Sequence, residues 1–278
     1  MKKEGKIWIE GINNPLHNES MSSKKLRRSV SGRSTISILP DVWVIKIGGQ
    51  SILDRGAEAV IPILEELVKA KNNGTHFILC CGGGTRARHV YSLGLDLDLP
   101  TGMLARLGAS IPVQNSRMLQ LLLAKHGGIV AYPEEFEKLP FFLNTGCIPI
   151  TSGMPPNEFW EKSSAHGNIP ENRTDAGVYL LAEFLGAAGV LFIKDEDGLY
   201  TDDPKKNPSA EFIPETSAQQ LLKSEQDDLI VERVVLDYMI RGKNIKQIQI
   251  VNGLKNGQIT RALAGEKVGS IINTVIQS

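Results

Sequence analysis

From Val42 onward, short apolar runs alternate with longer segments whose apolar residues recur every three or four positions. Val42-Trp43-Val44-Ile45-Lys46-Ile47 is a mainly β-branched run closed by Gly48-Gly49, which reads as a buried strand ending in a tight turn. Arg55 to Asn73 follows as a helix. Ala59, Ile63, Leu64, Leu67 and Val68 share one side of it, Pro62 falls inside it, and Asn72-Asn73-Gly74 stops it. His76 to Cys81 is a second apolar strand, closed by Gly82-Gly83-Gly84 before an Arg-rich stretch that opens another helix. The pattern then predicts a helix from about Pro112 to His126, strands near Ile129 and over Ile148 to Thr151, a helix over Asp175 to Leu185 and a strand over Val190 to Lys194. The last third adds a helix over Val231 to Arg241, a strand over Gln247 to Asn252, a short helix from about Gln258 to Leu263 and a final strand over Gly269 to Ile272. This alternation, with no repeat of solenoid period, predicts an α/β fold: a three-layer αβα sandwich around an open, mainly parallel central sheet.

Residues 1–37 lack that pattern. They mix Lys, Asn, Ser and Arg with little periodicity and cannot bury enough apolar area to offset the entropy of ordering, so they read as an irregular N-terminal arm before a domain over 38–278. Within the arm, Lys24-Lys25-Leu26-Arg27-Arg28 reads as a solvated run or a packing arm rather than a nucleic-acid site. Lys plus Arg and Asp plus Glu both number 31, so no net field favours nucleic acid or an anionic membrane. Hydrophobic residues make up 41% of the chain, yet no apolar run approaches the roughly 18 to 20 residues of a membrane span. The start lacks the apolar stretch of a secretory signal, and the three cysteines, Cys80, Cys81 and Cys147, have no CxxC spacing. A reduced, soluble, cytoplasmic protein is the expectation.

In open parallel sheets, ligands sit beyond the carboxyl ends of the strands. Here those ends are Lys46-Ile47-Gly48-Gly49, Gly82-Gly83-Gly84 and Thr151-Ser152-Gly153. Glycine lets backbone N–H groups approach an anion, and a helix start beyond it adds partial positive charge, so each loop reads as a phosphate cradle or as a plain tight turn. Neither GxxxxGK[ST] nor an opening GxGxxG is present. Lys46 lies in an apolar strand, where an unpaired ammonium is costly, so it needs phosphate or a carboxylate as partner. Arg173-Thr174-Asp175 begins a helix that Thr174 can cap and Asp175 can complement; alternatively, Asp175 orients Lys46 or a metal. The acid-rich stretch Lys194 to Pro204 follows a strand and carries Tyr200.

These motifs in this order resemble the amino acid kinase superfamily, with its Lys-x-x-Gly strand end, Gly-Gly-Gly loop, Thr-Asp helix start and Asp-Gly-x-Tyr-x-x-Asp-Pro loop. Within it, Val44 to Ser51, Asp54-Arg55-Gly56, Thr85 to His89, Ser152 to Pro156, Arg173 to Gly177, Lys194 to Thr201, Val251 to Leu254 and Thr260 to Glu266 look like the β-type subunits of the molybdenum storage family, and less closely like the uridylate kinases. The resemblance implies the amino acid kinase (carbamate kinase-like) fold and an ATP-hydrolysing storage protein. Such a protein is an oligomer, hexameric with a related subunit, that uses ATP and Mg²⁺ to pack molybdate or tungstate into polyoxometalate clusters, with no nucleic-acid or membrane partner.

By the same resemblance, Lys46, Gly48 and Gly49 hold phosphates, Gly84, Arg88 and Lys194 add donors, and Tyr200 and Asp203 line the adenosine pocket. Lys46, Asp175 and Lys194 form the catalytic set. Gly83, Ser152, Gly153 and Thr174 fall where uridylate kinases grip the UMP phosphate, forming a second phosphate or oxyanion site and leaving UMP phosphorylation as the alternative activity. Two departures weigh against that alternative: Met154 to Asn172 replaces the usual Asn-Pro-Phe-Phe segment, and Leu99 stands where those kinases carry Asp. For the oxide cargo the candidates are Lys125, His126, Lys162 and His166, as cationic or imidazole donors.

Overall fold

Residue alternation along each strand decides which helix layer a side chain meets, and it does so here across one sheet of eight strands among the described residues. The computed structural model describes residues 20, 22–24, 35–164, 167–224, 226 and 228–275. The chain divides into two units, Met1–Ile36 and Ser37–Ser278. Most of the first unit, including Lys25 to Arg28 of the basic cluster, lies outside the described residues.

In chain order the strands are β1 (Val42–Ile47), β2 (His76–Cys81), β3 (Gly128–Val130), β4 (Ile148–Thr151) and β5 (Gly189–Lys194), then the two-stranded ribbon β6 (Leu199–Tyr200) and β7 (Phe212–Ile213), then β8 (Glu215–Ser217), β9 (Gln247–Asn252) and β10 (Ser270–Asn273). The large sheet has the order β3-β4-β2-β1-β5-β9-β10-β8. All neighbours run parallel except β9 and β10. The helices are α1 (Ala57–Asn72), α2 (Gly84–Asp96), α3 (Thr101–Leu122), α4 (Leu139–Asn144), α5 (Thr174–Leu185), α6 (Ala218–Ser224), α7 (Arg233–Arg241) and α8 (Gln258–Leu263).

Two cores flank the sheet. Val42 and Val44 of β1, Cys80 of β2 and Phe192 of β5 pack with residues of α4, α5, α6 and α7 on one face. Ile45, Ile47, Leu79, Cys81, Leu191 and Ile193 pack with α1, α3 and α8 on the other. The result is the predicted three-layer αβα sandwich, built because the central strands are apolar at both odd and even positions.

Several stretches differ from the sequence reading. Pro112 does not open a helix: α3 starts at Thr101 behind Pro100, and Pro112 is buried inside it. The Pro112 ring stands 3.7 Å from where a Cβ on Gly83 would lie, so packing against the second glycine turn offsets the backbone bond that proline forgoes. Helix α7 starts at Arg233 rather than Val231, with Glu232 as its N-cap. The segment Leu199 to Ser224 holds β6, β7, β8 and α6, which are too short to show a period. Among the described residues, no helix is long and apolar enough to cross a membrane.

Ile45 is fully buried in β1 between β2 and β5. Ile45→Ala is expected to lower unfolding free energy by about 2–5 kcal/mol, read from the shift of the urea midpoint at unchanged slope.

Candidate functional site

Lys46 is an even-numbered residue of β1 and so shares the face of Val42 and Val44; Lys194 likewise shares the face of Val190 and Phe192 on neighbouring β5. Both lysines stand at the carboxyl ends of their strands and meet Asp175, in the first turn of α5. The Lys46 ammonium donates to Asp175 Oδ1, and Lys194 Nζ lies 3.5 Å from Asp175 Oδ2. Side-chain exposures are 5% for Lys46, 14% for Lys194 and 6% for Asp175, so water does little to screen the three charges.

Burial alone would raise the Asp175 carboxyl, but the Lys194 and Lys46 ammonium groups outweigh it and hold the group well below the usual carboxylate range. For Lys194, burial is the larger influence and pulls its ammonium below the ordinary value, against the opposing pull of Asp175. One carboxylate thus serves two buried ammonium groups.

The start of α5 is capped from a distance. Glu232 Oε2 accepts the N–H of Arg173 (3.2 Å) and Ala176 (3.0 Å), and Oε1 accepts that of Asp175 (3.1 Å). In return, the Glu232 N–H donates to Asp175 Oδ2 at 3.2 Å. The capping role read for Thr174 is therefore corrected: Thr174 is the first helical residue, and the carboxylate that satisfies the free amides comes from the start of α7. Burial and the neighbouring Asp175 raise the Glu232 carboxyl above its usual value. Arg173 Nε is 3.6 Å from Glu232 Oε1. Three cations (Lys46, Lys194, Arg173) face two carboxylates (Asp175, Glu232), which leaves one positive charge in excess.

Beside this cluster, the two glycine loops touch backbone to backbone. A Cβ on Gly49 would stand 2.1 Å from the Gly84 nitrogen, so no side chain fits between them. Gly84 opens α2 at φ +73°, a left-handed conformation that glycine adopts without strain. The neighbouring Thr85 N–H donates to Asp54 Oδ2 at 2.6 Å, so an internal carboxylate already sits at this helix start. A Cβ on Gly153 would lie 3.5 Å from the Thr174 carbonyl oxygen, which brings those two residues of the expected second site together. Ser152 is half-buried beyond β4, and Gly83 packs under Pro112.

The acid-rich loop is ion-paired along its length. Asp195 accepts from Arg55 (2.7 Å) and Lys205 (2.8 Å), and Asp197 pairs with Lys255 (2.7 Å) and Asn252 (2.9 Å). Tyr200 lies edge-on to Phe212 at 5.5 Å, Asp203 pairs with Lys206 at 3.1 Å, and Arg88 is exposed on α2. Lys125 and His126 lie in a turn that precedes β3, at the sheet edge opposite Lys46, where the His126 carbonyl accepts Lys71 Nζ at 2.7 Å. The structure does not bring them to the lysine cluster. His166 lies outside the described residues, and Lys162 pairs with Glu171 at 2.8 Å. Among the described residues no group of three or more His, Cys, Asp or Glu is arranged to hold a metal ion.

Sequence reasoning missed Glu232 and Arg55. An acid just before a helical run reads as a local cap, and nothing in Val231-Glu232-Arg233 signals a partner 57 residues away. Arg55 ties the loop after β1 to the loop after β5, a contact visible only once those strands are neighbours.

Strand order, paired glycine loops and a cationic cluster at the carboxyl edge define the class of open α/β domain, and the family comparison agrees with that fold. Residues 41–246 match the model of the amino acid kinase family, and the chain belongs to that family. Within it, the chain is 45% identical over 257 residues to the molybdenum storage protein subunit beta of Azotobacter vinelandii strain DJ, covering 92% of this chain and 95% of that one. It is 28% identical over 242 residues to the uridylate kinase of Metallosphaera sedula, covering 84% and 99%. Among solved structures, the UMP kinase from Bacillus anthracis superposes with a TM-score of 0.67 at 21% identity, covering 85% of this chain and 97% of that one; this likeness is one of fold.

Removing the shared carboxylate should strand both ammonium groups. Asp175→Asn is expected to cost about 3–5 kcal/mol of unfolding free energy at pH 7. Because the Asp175 pKa is depressed on folding, its contribution is present above the ordinary value of 3.8 and disappears as pH falls through the native value. The gap between wild type and Asp175→Asn in urea unfolding should therefore narrow between pH 5 and about pH 2; a gap that widens on acidification would contradict the assignment.

Proposed function

We propose that this chain is a molybdenum storage subunit that binds ATP with Mg²⁺ and couples ATP hydrolysis to deposition of molybdate or tungstate as polyoxometalate inside an oligomeric cage built with a related subunit. The observation that carries this reading is the 45% identity to a molybdenum storage protein subunit beta across 92% of the chain. The buried Lys46–Asp175–Lys194 cluster supplies a chemical rationale. The buried thiols Cys80 and Cys81 and the half-buried thiol Cys147 are free, which suits the reducing cytoplasm.

The residues fit a triphosphate. The positive excess of the cluster has the sign a triphosphate needs, and the close contact of Gly49 with Gly84 keeps side chains out of the space between the two loops. In this reading Lys46, Lys194, Gly48, Gly49, Gly84 and Arg88 hold the phosphates, and Tyr200 and Asp203 border the adenosine. Asp175 stays ionised and holds the two ammonium groups aimed. Phosphoryl transfer asks mainly for such positioning and charge neutralisation. Magnesium would supply further charge neutralisation at the phosphates, and with no acidic metal cage among the described residues it would arrive as the counterion of the nucleotide. Oxide cargo is substrate, and its candidate donors Lys125 and His126 lie at the sheet edge opposite the lysine cluster.

Purified protein incubated with ATP, Mg²⁺ and molybdate is expected to retain molybdenum through gel filtration and to release ADP without phosphorylating UMP. UDP formation without retained molybdenum would replace this reading with the uridylate kinase alternative, in which Gly83, Ser152, Gly153 and Thr174 grip the acceptor phosphate. Lys46→Ala should cut ATP turnover about 10²–10³-fold, the range seen when one charge-stabilising donor is removed. Turnover by Lys46→Ala at the wild-type rate, in protein shown to be folded by its melting curve, would assign this chain a purely structural place in the cage.

A further inference from the structure

We propose that Glu232 is a positioning residue for the reacting centre: it fixes Asp175, and through Asp175 the Lys46 and Lys194 ammonium groups, by holding the start of α5 from the start of α7. The proposal rests on the reading of that cluster as the phosphate site. Four hydrogen bonds carry it. The Glu232 carboxylate accepts the N–H groups of Arg173, Asp175 and Ala176, and the Glu232 N–H donates to Asp175 Oδ2. Asp175 is thereby gripped at its own backbone and at its side chain by one residue, while Lys46 takes its other carboxylate oxygen. With both oxygens committed, the carboxylate has a single orientation, and both lysines inherit it.

Capping alone does not account for this arrangement. Thr174 is adjacent and is a residue type that caps helices locally, yet the cap comes from a glutamate whose side chain is only 9% exposed. That glutamate also faces a second buried carboxylate, Asp175, which is an unfavourable like-charge neighbour. The groups that offset it are Lys46 and Arg173. A neutral cap would avoid the repulsion, but it would not add a charged acceptor that locks three amides at the point where Asp175 joins the helix. The cost is met where geometry matters, and what it secures is the aim of two lysines on different strands.

Glu232→Gln keeps the shape and removes the charge. Relative to wild-type protein that turns over ATP, Glu232→Gln is expected to lower kcat by about 10- to 100-fold, the size seen for lost hydrogen-bond partners of ligating groups, with ATP affinity changed by less than about threefold. A parallel fall of affinity and kcat, or a kcat equal to wild type, would overturn the proposal. A second readout needs no activity: in urea unfolding of nucleotide-free protein, the midpoint shift of Glu232→Gln/Asp175→Asn should differ from the sum of the single shifts, because both act on one network. Additive shifts would overturn the assignment even if ATP binding fails altogether, and absent ATP binding with non-additive shifts would count against the phosphate-site reading alone. Should Glu232→Gln not fold, Glu232→Asp retains the charge one methylene short; it is expected to lose part of kcat at unchanged ATP affinity and to unfold non-additively with Asp175→Asn, and wild-type kcat with additive unfolding would refute the role.

Discussion

A single buried carboxylate shared by two ammonium groups sets the terms for the rest of this structure. Lys46 and Lys194 are each expensive to bury, and Asp175 makes both tolerable only if β1, β5 and α5 stay in register around it. The parallel pairing of β1 with β5 aligns the two lysines, and the even-numbered face of both strands turns them toward α5. The opposite face is spent on Ile45, Ile47, Leu191 and Ile193 against α1, α3 and α8. Stability and chemistry are thus divided between the two sides of the same strands.

Much of this was legible in the chain. The β-branched run at Val42 and the glycines that follow it mark a strand, and the period of two along that strand already places Lys46 with Val42 and Val44. Asp175 reads as a helix-start acid, with its pairing to Lys46 one of two open readings, and the structure supplies that pairing. The direction of the strands also carried information: Lys125 and His126 precede a strand of a parallel sheet, which puts them at its amino edge, away from the carboxyl-edge loops.

What the sequence concealed depends on long-range geometry. Glu232 obeys the local rule for a helix start, yet its carboxylate serves a different helix, and no local pattern encodes that choice. Pro112 obeys the opposite bias, since its local preference is to open a helix and its packing against the second glycine turn places it inside one. The segment Met154 to Asn172 has no periodicity, and among its described residues buried Glu161 makes a contact no local pattern shows: its Oε1 accepts the Asn172 side-chain amide at 2.8 Å. The chain then leads through Arg173 into α5, the helix that carries Asp175.

In the proposed function, an under-neutralised lysine cluster at the sheet edge gathers the phosphates of one adenine nucleotide. Isothermal titration of the purified chain with ATP in the presence of Mg²⁺ tests it most directly. Saturable binding near one ATP per chain is expected, weakening steeply with added salt as charge-driven recognition does. No detectable heat with ATP, and no shift in melting temperature in its presence, would contradict it.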